Sequence, residues 1–218
     1  MATIITAEEI ASITKKVLQK LCDMQTLRIP IGVSNRHIHL SRKDADALFG
    51  KGYELTPVKD LKQPGQYACA ETLTIKGPKG SMEKVRILGP ERPRTQLEIS
   101  VTDSYKLGLR PPVRMSGDLD GSLAFDIIGP EGSVHKDEGA IIALRHIHMT
   151  PEIAKVYGYV DGQVADVEVG SDERRTVFKN VPLRVTDTSA LEMHLDTDEA
   201  NASGAVNDGI ARIIVPGE

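Results

Sequence analysis

Four histidines, the residues with the clearest potential for chemistry, occur in two matching strings. Residues 36–41 read Arg-His-Ile-His-Leu-Ser, and residues 145–150 read Arg-His-Ile-His-Met-Thr. In an extended chain, side chains two positions apart point the same way, so each string presents two imidazoles on one face. Neutral imidazole is a good zinc ligand. Each string therefore predicts half of a zinc site.

A single His-x-His pair is more often a solvated strand face than a ligand set, but here it occurs twice in matching surroundings. Both copies follow an apolar, strand-like run. Both also precede a predicted helix, over 42–49 with Ser41 as N-cap and over 151–157 with Thr150 as N-cap. Such a repeat is a supersecondary unit, and it favours the metal interpretation for both pairs.

Two further predicted strands offer a third ligand to each pair. In the strand 95–101 the apolar residues, including Leu97, share one face, which puts Glu98 on the other. The segment 191–196 alternates in the same way and puts His194 on its polar face. Three protein ligands leave one coordination position open for water or substrate, as catalytic zinc requires.

Two arrangements of these ligands are open from the residues alone. In one, each pair binds its own ion with one further ligand, in the sets His37, His39 and Glu98, and His146, His148 and His194. In the other, the four paired histidines bind one ion, and Glu98 and His194 have supporting roles. We prefer the first arrangement because it uses both polar strand-face residues. His135, in the predicted loop 132–136, is assigned to the surface.

An anion-binding group is predicted beside the first ligand set. The segment 89–96 places Arg92 and Arg94 shortly before Glu98. Guanidinium keeps its charge and binds phosphate bidentately, so a turn that places Arg92 beside a metal would form an anion pocket. Two solvated arginines on a turn are the alternative. The turn containing Ser116 could direct backbone N–H groups at an oxyanion, although a plain turn is the simpler interpretation.

Short alternating segments separated by turn signals predict a mainly β protein. The segments are 71–76, 83–88, 95–101, 123–128, 164–169, 176–181 and 212–215. Gly-Pro and Asp-Gly dipeptides separate most of them. This pattern favours small β-barrels or sandwiches with a few helices over a parallel sheet with long crossover helices. Residues 6–24 form a predicted amphipathic helix, which suits either a packing helix or a detachable tag.

Composition and missing motifs exclude several function classes. The 218 residues carry 27 Lys and Arg against 31 Asp and Glu, a net charge of −4 that gives no nucleic-acid footprint. No apolar stretch could span a bilayer, and no secretory signal is present, so a cytosolic protein is the default. The sequence has no Gly-x-Ser-x-Gly elbow, phosphate loop or dinucleotide fingerprint. Cys22 and Cys69 lack paired spacing and are predicted to be buried thiols.

Together, these motifs establish a family resemblance. They are Val-Ser-Asn-Arg-His-Ile-His-Leu-Ser at 33–41, Gly-Pro-Glu-Arg at 89–92, Thr-Gln-Leu-Glu at 95–98, Arg-His-Ile-His-Met-Thr at 145–150 and Met-His-Leu-Asp-Thr-Asp-Glu-Ala-Asn at 193–201. With this combination, the chain resembles the PduL-type phosphotransacylases from residue 28 to its end. These enzymes interconvert acyl-CoA and phosphate with acyl phosphate and CoA.

The resemblance implies a fold and a site. The fold is mainly β, with two small β-barrel domains, short capping helices and an N-terminal amphipathic helix. The implied domains are 1–24 for the helix, 25–35 with 144–218 for the first barrel, and 36–143 for the second. The resemblance also implies two zinc ions per chain in the first arrangement above, with Arg92 as the phosphate contact and Ser116 as an active-site neighbour.

The implied activity is zinc-dependent, direct transfer of a short-chain acyl group, with acyl-CoA or CoA and phosphate as partners. Two alternatives stay open. One is a zinc hydrolase that releases the acyl group to water, and the other is a non-catalytic microcompartment scaffold with structural zinc. Structural zinc sites are normally closed, so an open coordination position argues against the scaffold.

The N-terminal helix bears on location and partners. Some family members begin with an amphipathic helix that directs them into a bacterial microcompartment, and residues 6–24 resemble such a segment. The linker that follows, at 23–27, is shorter than expected after a tag. The chain is therefore predicted to be cytoplasmic, with placement inside a microcompartment and contacts to shell or cargo proteins through 6–24 left open. A homo-oligomer is open as well, whereas nucleic-acid and membrane partners are not predicted.

Overall fold

The computed structural model describes residues 27–214, together with residues 6, 10 and 12–14. The strands in this part of the chain are β1 (Arg28–Ser34), β2 (His37–His39), β3 (Pro57–Asp60), β4 (Tyr67–Lys76), β5 (Ser81–Gly89), β6 (Gln96–Glu98), β7 (Val113–Arg114), β8 (Leu123–Ile128), β9 (Ser133–Ala143), β10 (His146–Met149), β11 (Val164–Val169), β12 (Thr176–Val185), β13 (Glu192–Asp196) and β14 (Ile210–Ile213). The helices between them are α1 (Arg42–Phe49), α2 (Val101–Leu107), α3 (Pro151–Tyr157) and α4 (Thr197–Ser203).

Twelve of the fourteen strands in the described residues close into two barrels, while β3 and β7 lie outside the closed rings and pair with β4 and β9 of the second barrel. In the first barrel, β1, β13, β10, β12, β11 and β14 follow one another, and β14 pairs back with β1. In the second barrel, β4, β5, β2, β6, β9 and β8 follow one another, and β8 pairs back with β4. Each barrel has its own hydrophobic core. The predicted mainly-β fold with two small barrels and short helices is confirmed.

Each barrel contains the strand that precedes the histidine string of the other barrel. β1 runs into β2 after two residues, yet β1 belongs to the first barrel and β2 to the second. β9 runs into β10 in the same way, yet β9 belongs to the second barrel and β10 to the first. The two strands occupy matching places, since β1 pairs in parallel with β13 and β9 pairs in parallel with β6. The two repeat units have thus exchanged their first strands.

The predicted domain bounds, 25–35 with 144–218 and 36–143, concern independent folding units and stay a prediction. Of the predicted helix over 6–24, residues 10 and 12–14 are helical, and Ile10 and Ile13 are exposed. The rest of that prediction lies outside the described residues. None of the helices in the described part of the chain is long and apolar enough to cross a membrane.

The predicted N-caps begin α1 and α3. Ser41 accepts a hydrogen bond from the backbone N–H of Asp44 at 3.2 Å, and Thr150 accepts one from that of Ile153 at 3.4 Å. These side chains satisfy backbone donors that a helix leaves free in its first turn. Both predicted helices, which follow directly on the histidine strings, are confirmed.

The strand prediction at 95–101 is wrong beyond Glu98. β6 ends at Glu98, and α2 begins at Val101. The reason is local, because the side chain of Ser100 accepts the backbone N–H of Asp103 at 3.2 Å and caps a helix.

The same device begins α4 after β13, where Asp196 accepts the backbone N–H of Glu199 at 2.8 Å. Sequence analysis predicted neither α2 nor α4. The spacing of Ser100 from Asp103 and of Asp196 from Glu199 resembles a capping box, and it was the signal available.

A buried carboxylate ties α1 to the second barrel. Asp44, 3% exposed, accepts hydrogen bonds from Thr95 Oγ1, beside β6, and from Lys136 Nζ on β9, the latter at 2.9 Å. Burial raises the pKa of Asp44, but the hydrogen bonds from Thr95 and Lys136 outweigh this effect and hold the pKa below its ordinary value. This network fixes the start of the strand that carries Glu98.

We expect Asp44→Ala to lower the free energy of unfolding by about 2–3 kcal/mol, because it removes charged hydrogen bonds and leaves Lys136 unpaired. Urea denaturation measures the change. Asp172→Ala is the matched control, since Asp172 forms an exposed ion pair with Arg175, and such pairs contribute about 0–1 kcal/mol. Equal effects of the two substitutions would contradict a structural role for the Asp44 network.

Candidate metal centre between the barrels

The first predicted ligand set comes together on two paired strands of the second barrel. β2 pairs antiparallel with β6, with His37 opposite Glu98. The ligand atoms of His37, His39 and Glu98 lie within 4.8 Å of one another, and all three residues are buried. His37 Nε2 lies 3.4 Å from Glu98 Oε2. Between the two histidines, Ile38 points into the barrel core, which turns the imidazoles outward.

The second ligand set has the same construction in the first barrel. β10 pairs antiparallel with β13, with His146 opposite His194. The ligand atoms of His146, His148 and His194 again lie within 4.8 Å of one another. Ile147 points into the core of this barrel. Within the described residues, the structure thus groups the six predicted ligands into the two predicted sets.

Backbone carbonyls fix the tautomers of three of these histidines. Nδ1 lies 2.8 Å from Asn35 O in His37, 3.1 Å from Leu88 O in His39, and 2.8 Å from Leu144 O in His146. A carbonyl oxygen only accepts, so Nδ1 carries the proton and Nε2 keeps its lone pair. Metal-ligating histidines show this same outer hydrogen bond.

Burial favours the neutral form, in which imidazole binds metal, for His39, His146 and His148. Burial lowers the pKa of His146 to about 4, with the nearby His194 adding to the shift. Burial lowers the pKa of His148 to about 3, helped by His146 and His194. Burial and the neighbouring His37 also lower the pKa of His39. His146 Nε2 and His148 Nε2 lie 2.9 Å apart. At this distance, either one nitrogen donates a proton to the other or a cation lies between them.

Glu98 is an ionised ligand candidate. Burial raises its pKa, but the adjacent His37 and His39, a hydrogen bond from Ser116 and the charge of Arg92 outweigh burial and lower the pKa to about 2. The carboxylate is therefore negative at neutral pH. Neutral imidazoles with a carboxylate, and three imidazoles together, are donor sets that fit zinc.

Gln96 holds Ser116 and Glu98 in one network. Ser116 Oγ donates to Glu98 Oε1 at 2.8 Å and accepts from Gln96 Nε2 at 2.9 Å. Gln96 Oε1 accepts the backbone N–H of Gly117 at 2.8 Å, and Gln96 Nε2 also contacts Glu98. Sequence reasoning did not assign Gln96 a role. Its position two residues before Glu98, on the same strand face, was the signal that could have found it.

Both ligand sets line one cleft between the barrels, with a volume of about 750 Å³. A family model described as phosphate propanoyltransferase matches residues 30–206. The chain belongs to the phosphate propanoyltransferase family. It is an acyltransferase, and the predicted family resemblance is confirmed.

Several curated relatives carry the name phosphate propanoyltransferase. That of Thermotoga maritima is 56% identical over 196 residues, covering 88% of this chain and 93% of the relative. That of Rhodobacter capsulatus is 56% identical over 191 residues, covering 88% of each chain. That of Priestia megaterium is 52% identical over 209 residues, covering 95% of each chain. These similarities extend over both barrels of this phosphate propanoyltransferase family member.

Arg92 lies in this cleft, and Arg94 does not. Arg92 Nη1 donates to Ser116 Oγ at 3.2 Å, and its backbone N–H donates to Leu40 O at 2.9 Å. Burial lowers the pKa of Arg92, Glu98 opposes this shift, and the nearby cation of Arg184 adds to it. Arg94 is exposed and pairs with Asp120 and Glu138.

Sequence analysis missed Arg184, which lies on β12 opposite His148 and lines the cleft. No salt bridge within 4.0 Å joins Arg92 or Arg184 to a carboxylate of the described residues. Nothing in the local sequence distinguishes Arg184 from a solvated arginine. His135, by contrast, lies on β9 rather than in a loop, and it is exposed beside Asp126.

A matched ion pair supports each ligand set of this phosphate propanoyltransferase family member. Arg36 Nε donates to Asp103 Oδ1 at 2.9 Å, and Arg145 Nη1 donates to Glu199 Oε1 at 2.6 Å. Each arginine precedes a His-x-His strand, and each acid lies on the helix after the strand of the third ligand. The pairs therefore brace the two strands of each set against each other.

We expect the free energy of unfolding of chelator-treated protein to fall as pH is lowered from 6.5 towards 5. The ordinary histidine pKa is 6.5, and in the folded state that of His146 is about 4. In this window His146 binds a proton in the unfolded chain but not in the folded protein. Its contribution therefore lowers the free energy of unfolding by about 1.5 kcal/mol between pH 6.5 and pH 5. Urea denaturation at the two pH values measures the change.

His146→Asn should remove this part of the pH dependence, whereas His135→Asn, a change at an exposed histidine, should leave the fall in place. An identical pH dependence in the His146→Asn variant and the parent protein would contradict a neutral, buried His146.

Proposed function

We propose that this acyltransferase moves a short-chain acyl group directly between coenzyme A and phosphate, with two zinc ions in the cleft. One ion would be held by His37, His39 and Glu98, and the other by His146, His148 and His194. The observation that carries the proposal is that both three-ligand sets line one cleft that also contains two arginines without carboxylate partners among the described residues. The names of the relatives support propanoyl transfer to phosphate.

The donor sets support zinc in this role. Each set offers three ligands and would leave a coordination position open, as in catalytic rather than structural zinc sites. Bound there, zinc would act as a Lewis acid that stabilises negative charge on a carbonyl or phosphoryl oxygen.

The arginines suit the phosphate. Arg92 and Arg184 lie close enough for each charge to act on the other, as the pKa of Arg92 reflects. Two like charges in a half-buried place repel each other, and an anion between them would offset this repulsion. A phosphate there would be oriented for attack and partly neutralised, and bringing it beside the thioester is itself a large catalytic contribution.

Direct transfer is supported by the condition of the nearest nucleophile candidates. The hydroxyl proton of Ser116 is donated to Glu98, whose pKa of about 2 makes it a weak base, and its oxygen accepts from Gln96 and Arg92. Cys69 is buried, and burial followed by the charge of Glu71 raises its pKa to about 11. Neither group is activated to form an acyl-enzyme.

Further cations in the cleft wall suit coenzyme A. Lys59 and Arg86 line the cleft, and guanidinium and ammonium groups bind phosphate through charge-assisted hydrogen bonds. We assign the phosphates of coenzyme A to this part of the wall. On the family resemblance alone, we extend the proposal to placement inside a microcompartment through residues 6–24 and to a homo-oligomer.

The metal content is the first test. Elemental analysis should find about two zinc ions per chain, since each set has three ligands. His37→Ala and His146→Ala should each lose about one ion together with phosphate-dependent activity, while His135→Ala, the exposed control, keeps both. Full activity of a metal-free preparation would contradict the zinc assignment.

The phosphate contacts are tested by Arg92→Ala and Arg184→Ala. We expect kcat/KM for phosphate to fall roughly 10- to 150-fold in each, the equivalent of a charge-assisted contact of roughly 1.5–3 kcal/mol. Arg94→Ala is the matched control, two residues away and paired outside the cleft. Unchanged phosphate dependence in both cleft variants would remove these arginines from the phosphate site.

The reaction itself is tested by the rate of coenzyme A release from acetyl, propionyl and butyryl thioesters with and without phosphate. A transacylase releases coenzyme A only when phosphate is present, whereas a hydrolase needs no phosphate. Intersecting double-reciprocal plots are expected for direct transfer. Parallel plots with a trapped acyl-enzyme would contradict it.

A further inference from the structure

Glu192 is a buried carboxylate beside the second ligand set. It lies two residues before His194 on β13, so the two side chains share a strand face. It is 5% exposed, and its Oε2 lies 2.8 Å from His194 Nε2. A carboxylate this deeply buried needs hydrogen-bond partners, and the imidazole N–H supplies one.

Two side chains from a loop beside the second barrel hold Glu192 in place. Lys62 Nζ lies 3.4 Å from Glu192 Oε1, and Gln63 Nε2 donates to Glu192 Oε2 at 3.3 Å. Gln63 is 4% exposed, and two hydrogen bonds to the backbone of Ala190 fix its side chain. Gln63 Nε2 donates to Ala190 O at 3.1 Å, and Gln63 Oε1 accepts the backbone N–H of Ala190 at 3.2 Å. Both residues come from the connection between β3 and β4.

The first barrel leaves room for this carboxylate. Gly32 on β1 lies opposite His194 in the parallel pairing with β13. A Cβ at position 32 would lie 2.6 Å from Glu192 Oε1, which is closer than non-bonded atoms approach. The absence of a side chain at this position thus keeps a space that the carboxylate fills.

Glu192 stands beside the ligand set rather than in it. Among the described residues, the cluster whose ligand atoms lie within 4.8 Å of one another contains His146, His148 and His194 but not Glu192. A carboxylate that accepts the outer N–H of a ligating histidine fixes its ring orientation and tautomer, and makes it a better donor.

We propose that Glu192 is the positioning residue of the second metal site. It accepts the Nε2–H of His194, so that Nδ1 is the nitrogen with a lone pair for the metal. The inference rests on the proposed function, in that the set binds zinc. Because Lys62 and Gln63 lie in the loop that leads into β4 of the second barrel, the ligand geometry in the first barrel depends on contact with this loop.

The test measures zinc affinity of the full-length protein by chelator competition. Glu192→Ala should weaken the binding of one of the two zinc ions roughly 10- to 100-fold, the usual effect of losing such a partner. The affinity for the other ion should stay unchanged. Glu192→Gln, which retains an acceptor oxygen without the charge, should fall between. Gln63→Ala should weaken the same ion by a smaller factor. Glu173→Gln, at an exposed glutamate, is the control and should match the parent protein.

Long-range ¹H–¹⁵N spectra of the zinc-loaded protein give a readout that a general loss of stability does not move. We expect His194 to show a protonated Nε2 and a metal-bound Nδ1, with its signal identified by its loss in His194→Asn. A metal-bound Nε2, or equal zinc affinities in Glu192→Ala, Glu192→Gln and the parent, overturns the inference alone. A parent protein that binds no zinc overturns the proposed function as well.

Discussion

The whole candidate metal centre depends on the register between two pairs of antiparallel strands. In each barrel the His-x-His strand lies against the strand of the third ligand, so that His37 faces Glu98 and His146 faces His194. A slip of one residue would turn every side chain to the opposite face of its strand. It would expel the fully buried Ile38 and bury its flanking imidazoles in the barrel core. Apolar packing inside each barrel therefore enforces the polar geometry outside it.

The exchange of first strands brings the two ligand sets to one cleft. The chain crosses between the barrels just before each histidine string, and the crossing residues also support the site. The carbonyls of Asn35 and Leu144 accept the Nδ1 protons of the first histidine in each string. The next residues, Arg36 and Arg145, form ion pairs with the helices that follow the third ligands. The same short segments thus join the barrels and orient the ligands.

Local patterns in the sequence were enough to predict strand faces and helix starts, but not contacts between residues that are distant in the chain. Alternation in the strands was enough to propose Glu98 and His194, and N-cap residues predicted α1 and α3. The strand drawn through Ser100 failed because a side-chain cap competed with an apolar pattern. Arg36 and Asp103 pair across 67 residues, and no spacing rule relates such positions. The order of strand pairing cannot be derived from the periodicity of a single strand, so only the family resemblance grouped residues 25–35 with 144–218. Arg184 is recognisable as a cleft residue only once β12 pairs with β10.

We propose that two metal ions face each other across one cleft, each held by its own barrel. Crystals of the protein as purified, measured on both sides of the zinc absorption edge, test it most directly. We expect two anomalous peaks per chain, one among His37, His39 and Glu98 and one among His146, His148 and His194. A single peak shared by the four histidines of the two strings, or no peak at either set, would contradict it.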